Sequence, residues 1–321
     1  MAFPAQASSS LEFCKAEEGD FEQVMVMSAG VYDGLDFIAA CYHSWLKEPG
    51  RLVFLAKEQN RVVALMSVLL VDGGETIMGQ GLRVAASERG RGIATAIRRH
   101  VTEHVRHHYP QVTACRLAKA DDKCTPELLA KYRLLAKESI LSLCCDVADL
   151  GPFLLELQSK LSREAELVTP VTLNQLQAET LVLSNHVVST LLPGHFIISD
   201  WESLKPVLAN LEVLRRRGHT WIADHEFKPA ALSLCSKPFK VPYRQDALQF
   251  SINIFSRSLG PVCAMFLAQL AQLQPHLHGY LVFHTFVEPQ LWQGLSDFCQ
   301  NSGKVSFFKD YWEEFILEGD L

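Results

Sequence analysis

Six consecutive residues, Arg89, Gly90, Arg91, Gly92, Ile93 and Ala94, join a run of strand character to an amphipathic helix. The first turn of a helix has unpaired backbone N–H groups and a partial positive charge, so a diphosphate can be held there by the main chain. Glycine at 90 and 92 and alanine at 94 leave room for that approach, and Arg89 and Arg91 add charge. A dinucleotide fingerprint would require glycine where Thr95 stands, and the strands ahead of the turn are not a simple βαβ repeat. The full Walker pattern is absent as well.

A second group lies upstream. Residues 31–45 (VYDGLDFIAACYHSW) are richer in aromatics and acids than a connector needs. Tyr32, Asp33, Asp36, Phe37, Tyr42 and His43 could cover a small polar acceptor by stacking or hydrogen bonding. Arg83 could grip an acceptor carboxylate with a forked pair of bonds, or equally point away from the cleft. His100, His104 and His108 share helical spacing, but they flank an apolar row and no HExxH motif is present, so no metal site is expected.

The elements that must position these groups follow from periodicity. A short strand at 11–14 precedes a helical pattern through Phe21, Val24, Met25 and Met27. Residues 52–57 and 61–71 are β-branched runs separated by a turn, the sequence form of a hairpin, and a further strand covers 76–84. Ile93, Ile97, Val101 and Val105 recur every four positions, which predicts a helix over 92–108. A strand over 112–119, a helix over 127–136 opened by Pro126, and a strand over 139–147 complete the unit.

The second half repeats part of this order: strand 250–255, helix 262–273, strand 280–287 and helix 289–299. Arg89 precedes Val112 by the same interval as Arg257 precedes Tyr280, which reads as a tandem duplication. The expected organisation is a loose arm over 1–10, a catalytic domain over 11–150, a junction over 151–170 and a second domain over 171–321. Pro261 and Val262, set against the first turn, suggest that the second unit lacks the chemistry.

Composition narrows the function classes. A formal net charge of −6 argues against nucleic acid as a partner. No apolar run is long enough to span a bilayer, and nine irregularly spaced cysteines without a CxxC pair read as reduced thiols, so a cytosolic compartment without membrane attachment is expected.

Arg89, Gly92 and Ala94 fit the acyl-CoA turn of the GNAT superfamily of N-acetyltransferases, and the chain resembles that superfamily in the order of elements around the turn. The resemblance implies an α+β fold of two GNAT-like units, each a mixed twisted sheet with packed helices, and acetyl-CoA as cosubstrate. It implies that the backbone of Leu82, Arg83 and Val84 meets the pantetheine, and that Tyr132 donates to the leaving thiolate, although a packing tyrosine fits there too. Glu75 stands where similar enzymes often place a base, while a turn-forming acid on a solvated hairpin is an equal reading. Residues 31–36 (VYDGLD), 42–46 (YHSWL), 199–201 (SDW) and 288–292 (EPQLW) resemble the histidine N-acetyltransferase family. That likeness implies transfer of acetyl to the α-amine of free L-histidine. Another amino acid, a protein amine, or acyl-CoA binding without turnover are the competing readings.

Overall fold

The computed structural model describes residues 11–121, 124–162, 169–245 and 247–321. The expected arm over 1–10 and the end of the expected junction lie outside the described residues. The first unit runs β1 (Glu12–Lys15), α1 (Phe21–Ser28), α2 (Ile38–Lys47), β2 (Arg51–Glu58), β3 (Arg61–Val71), β4 (Thr76–Val84), α3 (Ile93–His108), β5 (Ala114–Asp121), α4 (Pro126–Leu129) and β6 (Arg133–Asp146). The second begins with α5 (Val147–Leu161), β7 (Val171–Leu173), α6 (Gln175–Val182), α7 (Asn185–Thr190), β8 (Ile197–Ser199), β9 (Glu202–Leu204) and α8 (Leu208–Arg217). It ends with β10 (Thr220–Ala223), β11 (Ala231–Cys235), β12 (Phe239–Val241), β13 (Ala247–Ser256), α9 (Leu259–Leu273), β14 (Tyr280–Val287), α10 (Trp292–Cys299) and β15 (Ser306–Asp320).

Local chemistry accounts for most of these elements. The β2–β3 hairpin turns on Gln59 and Asn60, both at positive φ, the handedness that lets a two-residue turn follow strand twist. Ile93, Ile97, Val101 and Val105 bury one stripe of α3 against Phe54, Ala64, Met66 and Ile77 of the sheet. One expectation needs correction. The helix expected over 127–136 is only α4, because residues 133–136 join β6, which pairs with β15 over ten positions; tertiary pairing overrides local propensity. The expected junction over 151–170 takes in most of α5. Leu150, Phe153, Leu154 and Leu157 of α5 sit in the core of the second unit beside Phe250, Phe266 and Phe283.

All the large strands belong to one sheet, in the order β1-β2-β3-β4-β5-β15-β6-β14-β13-β11-β10-β7, with β12 on β13. Among the described residues only β4–β5 and β13–β14 are parallel; they are the corresponding pairs of the two units. The units exchange their last strands: β15, from the end of the chain, lies between β5 and β6, while β6 lies between β15 and β14. Each half therefore completes its sheet with a strand of the other.

A strap over 193–204, including β8 and β9, crosses the face opposite α3. It presses closely enough on β6 that a Cβ at Gly194 would stand 2.2 Å from the Leu135 carbonyl oxygen, a position only glycine can hold. Buried Arg116 fastens the strap by donating to the Ser203 carbonyl at 2.8 Å, and it also binds Asp72 at 2.7 Å and Glu318 at 2.8 Å. Arg51 adds a second fastening, reaching Gln80 at 2.6 Å and Glu202 of β9 at 3.2 Å. Arg116→Met strands two carboxylates in the core, so a loss of about 3–5 kcal/mol is expected. Urea unfolding measures it, and a loss under about 1 kcal/mol would contradict the anchoring role.

Candidate active site

The β4–β5 ladder pairs Thr76–Gly79 with 114–117 and stops at Gly79–Leu117. On the other edge of β4 the register with β3 shifts between Gln80 and Arg83, where Gly81 adopts φ +65° and Trp45 packs on it. This bulge turns β4 away from β5, leaving its last residues, Leu82, Arg83 and Val84, without a β5 partner. The chain then reaches the turn. Gly90 (φ +80°) and Gly92 (φ +77°, the residue capping α3) are left-handed, and nothing lies within 4 Å of a Cβ at either position. No side chain caps α3, and its first internal bonds run from the Thr95 and Ala96 N–H groups to the Gly92 carbonyl. The N–H groups of Ile93 and Ala94 therefore end the helix uncommitted, an open backbone cradle suited to a diphosphate.

The two arginines of the turn differ. Arg89 is exposed and forms no ion pair among the described residues. Arg91 turns back instead, bonding Glu58 at 2.9 Å and Glu88 as well. Its charge is neutralised within the protein, which corrects the expectation that both arginines offer charge to a phosphate.

The acceptor side of the splay is the sheet face opposite α3. Alternation puts Ile77 into the α3 core and Met78 against residues of the second unit. Asp36 and Arg83 come together on that face, Oδ1 to Nη2 at 3.0 Å, with the guanidinium over the rings of Tyr32 at 4.7 Å and Phe37 at 5.2 Å. Asp36 also accepts from the Ile38 N–H at 3.1 Å, so this pair stiffens the 31–37 loop beside the splay and leaves little free bonding capacity. Asp33 is exposed at φ +54°.

Other expected site residues lie elsewhere. Tyr42 is fully buried and its hydroxyl donates to the Glu17 carbonyl at 2.6 Å, so it packs a core rather than an acceptor. His43 is exposed and leans on Phe21. Glu75 is exposed at the start of β4, about 13 Å along the strand from Gly79, too far to act directly on a group at the splay. Tyr132 follows α4 and packs on Gly319 of β15, level with the start of β5, because α4 is too short to carry it to the splay. Tyr132→Phe is therefore expected to keep kcat within about threefold. A hundredfold fall in kcat would restore Tyr132 to the chemistry.

Sequence reasoning passed over a set of buried acids on this same face. Glu314 of β15 lies opposite Ala120 of β5 on one side and Glu138 of β6 on the other. Glu314 is fully buried and both its carboxyl oxygens lack a partner among the described residues; Glu138 is 2% exposed and accepts from the Asn253 amide at 3.4 Å. Burial pushes Glu138 up to about 8; burial, with Glu138 and Asp200 nearby, holds Glu314 well above the carboxylate range. Asp200 and Trp201, at the turn of the strap, lie over this face: Asp200 accepts from the Ser251 hydroxyl at 3.0 Å, and Trp201 packs edge-on against Phe286. No local signal marks them, because both faces of β6 are buried and register shifts interrupt the alternation along β15. Among the described residues no group of three or more potential ligands is arranged for a metal ion, and His100 and His104 pack on Phe13 and Phe54.

Comparison with known proteins agrees with this geometry. The profile of the acetyltransferase (GNAT) family matches residues 20–123, and that of the C-terminal part of histidine N-acetyltransferase matches residues 166–288. A tandem GNAT protein of the clavulanic acid biosynthesis pathway shares the fold over 97% of this chain and 98% of its own, with TM-score 0.56 at 15% identity. A putative acetyltransferase from Pyrococcus horikoshii does so over 100% and 93%, with TM-score 0.56 at 11% identity. Fold and turn together define a tandem GNAT N-acetyltransferase, an acetyl-CoA-dependent acyltransferase. Histidine N-acetyltransferase from Scomber australasicus is 36% identical, with 99% of this chain and 96% of its own length aligned. Probable N-acetyltransferase 16 from Homo sapiens is 37% identical over 99% of this chain and 88% of its own. The chain belongs to the histidine N-acetyltransferase family.

Proposed function

We propose that the protein transfers the acetyl group of acetyl-CoA to the α-amine of free L-histidine, giving N-acetylhistidine and CoA. The observation that carries this reading is the near-full-length similarity to enzymes named for that reaction, including one from Xenopus tropicalis at 36% identity. The covered acceptor face supports it, because a peptide amine would need an open groove where the strap stands. The human relative, named more broadly, is equally similar, so another small amine is the second reading.

The chemistry falls to the first unit. The backbone from Gly90 to Ala94 would hold the diphosphate, with Arg89 as the free charge, and the unpaired edge of Leu82, Arg83 and Val84 would take the pantetheine amides. Acetyl-CoA supplies a thioester carbonyl to be attacked by a neutral amine. The protein must orient that amine, take its proton and exclude water.

The second unit, on this reading, binds no acetyl-CoA. Residues 85–92 link β4 to α3, whereas only Arg257 and Ser258 link β13 to α9. Neither has positive φ, and Arg257 is paired with Glu288 at 2.6 Å, so no cradle of N–H groups forms. The repeat register also shifts. Both α3 and α9 begin 21 residues before the following strand, so Ser258 corresponds to Gly92, and Pro261 falls within the first turn of α9 rather than in the connecting turn.

A cytosolic location fits the nine cysteines, all free thiols. Among the described residues no helix is long and apolar enough to cross a membrane. An amine panel with acetyl-CoA, following CoA release and product mass, tests the substrate. Histidine is expected to exceed lysine and an N-terminal peptide at least tenfold in kcat/KM; equal rates would reject the reading.

A further inference from the structure

The splayed strands of the second unit leave a cleft of their own. The β13–β14 ladder stops at Asn253–Phe286, and beyond it a pocket of about 280 Å³ opens between Ser256, Arg257 and Glu288 at its mouth and Glu138 within. This is the counterpart of the space that receives the cofactor in the first unit, but it leads inward to a carboxyl group rather than to a phosphate cradle. Behind the pocket wall Glu138 accepts from the Asn253 amide, and directly across the β6–β15 ladder stands Glu314, beside the β5 strand of the first unit.

We propose that this vestigial cleft is the acceptor site: histidine lies across the β6–β15 pair, its imidazole N–H on Glu138 and Asn253 and its α-nitrogen on Glu314, the catalytic base. The inference rests on the histidine reading for the identity of the ligand, but not for the place of the site.

Three observations support the assignment. Burying a carboxyl group without partners costs several kcal/mol, so Glu314, with both oxygens unbonded among the described residues and a second buried acid beside it, persists where a ligand supplies the missing donors. Histidine brings an ammonium and a ring N–H at a separation close to that of side chains on adjacent strands, about 5 Å apart. The placement is also asymmetric in a useful way, because only Glu314 neighbours β5, the strand from which β4 parts at Gly79–Leu117.

The protons balance as follows. Glu314 is faced by acids, Glu138 from β6 and Asp200 from the strap, so in the free enzyme its carboxyl group keeps its proton. An arriving ammonium brings positive charge to a carboxyl group whose charged neighbours are the acids Glu138 and Asp200, and the carboxyl proton leaves to solvent on binding. Glu314 carboxylate then takes one proton from the ammonium. The freed lone pair forms the N–C bond at the acetyl carbonyl as the C–S bond breaks, the remaining surplus N–H proton passes to the sulfur to give the CoA thiol, and Glu314 is left protonated as it began. One proton is released to solvent per turnover.

Glu314→Gln and Glu138→Gln keep shape and remove the acids. Glu314→Gln is expected to lower kcat/KM for L-histidine at least a hundredfold, mainly in kcat, and Glu138→Gln to raise KM at least tenfold. Both variants should bind acetyl-CoA within twofold of the parent and melt at or above its temperature, since each loses a buried acid that the fold does not need. Titration of L-histidine into the CoA complex should show weaker binding in Glu138→Gln. Wild-type kcat/KM in either variant, or melting temperatures lowered by more than about 5 °C, would overturn the assignment in favour of a structural role. Should the parent prefer another amine, the same variants are assayed with it: loss of that activity sinks the histidine reading and keeps the acceptor site, and retention sinks the acceptor site.

Discussion

Gly92→Val weakens acetyl-CoA binding by one to two orders of magnitude. Gly92 caps α3 at φ +77°, a conformation that costs a branched residue about 1–3 kcal/mol, so the helix start must shift to relieve it. The side chain would also project into space now empty, the approach by which a diphosphate reaches the Ile93 and Ala94 N–H groups. A tenfold loss corresponds to about 1.4 kcal/mol, within what strain and blockage together supply. Because no neighbour lies within 4 Å, core packing is undisturbed and the variant should still fold. Ala94, half-buried one residue into α3, should show a similar but smaller effect when enlarged. Calorimetric titration measures the change, and a dissociation constant within twofold of the parent would remove the turn from the site.

Deleting residues 306–321 abolishes the folding of both units. β15 pairs along its length with β5 and β6, so its loss opens a gap in the middle of the sheet and exposes two long strand edges. It removes Ile316 from the cluster formed by Ala136, Phe196 and Ile198, and Glu318 from buried Arg116. That arginine keeps only Asp72 as a charged partner, and a half-broken buried network costs several kcal/mol, against a typical domain stability of about 5–15 kcal/mol. A chain ending near residue 160 also lacks β15 and fails for the same reason. Absence of a cooperative melting transition checks this. A soluble fragment that melts cooperatively and binds acetyl-CoA would show that the first unit completes itself without β15.

What was legible in the sequence follows from how local each signal is. Spacing alone reveals α3, the β2–β3 hairpin and the glycine turn, because periodicity, positive-φ residues and small residues act within a few positions. The α+β class and the duplicated order were readable for the same reason. The exchange of β6 and β15 was not, since strand partners more than 160 residues apart leave no local mark. That exchange bears on where Tyr132 falls. Tyr132 reads as helical until β6 claims the residues after it, and Glu75 reads as near the cofactor until the full length of β4 separates them. Glu138 and Glu314 sit in apolar strands where a charged residue passes for a solvated position; only the partner strand shows that both face inward. Tyr42 shows the reverse error, a polar aromatic whose hydroxyl is used up by the Glu17 backbone.

Cofactor stoichiometry tests the central claim most directly, that two similar units share one sheet but only the first holds acetyl-CoA. Titration calorimetry of the intact chain should give one acetyl-CoA per chain, and the same titration of Gly92→Val should show that single site weakened or lost. Two sites per chain, or one site of unchanged affinity in Gly92→Val, would place cofactor binding in the second unit and contradict the account.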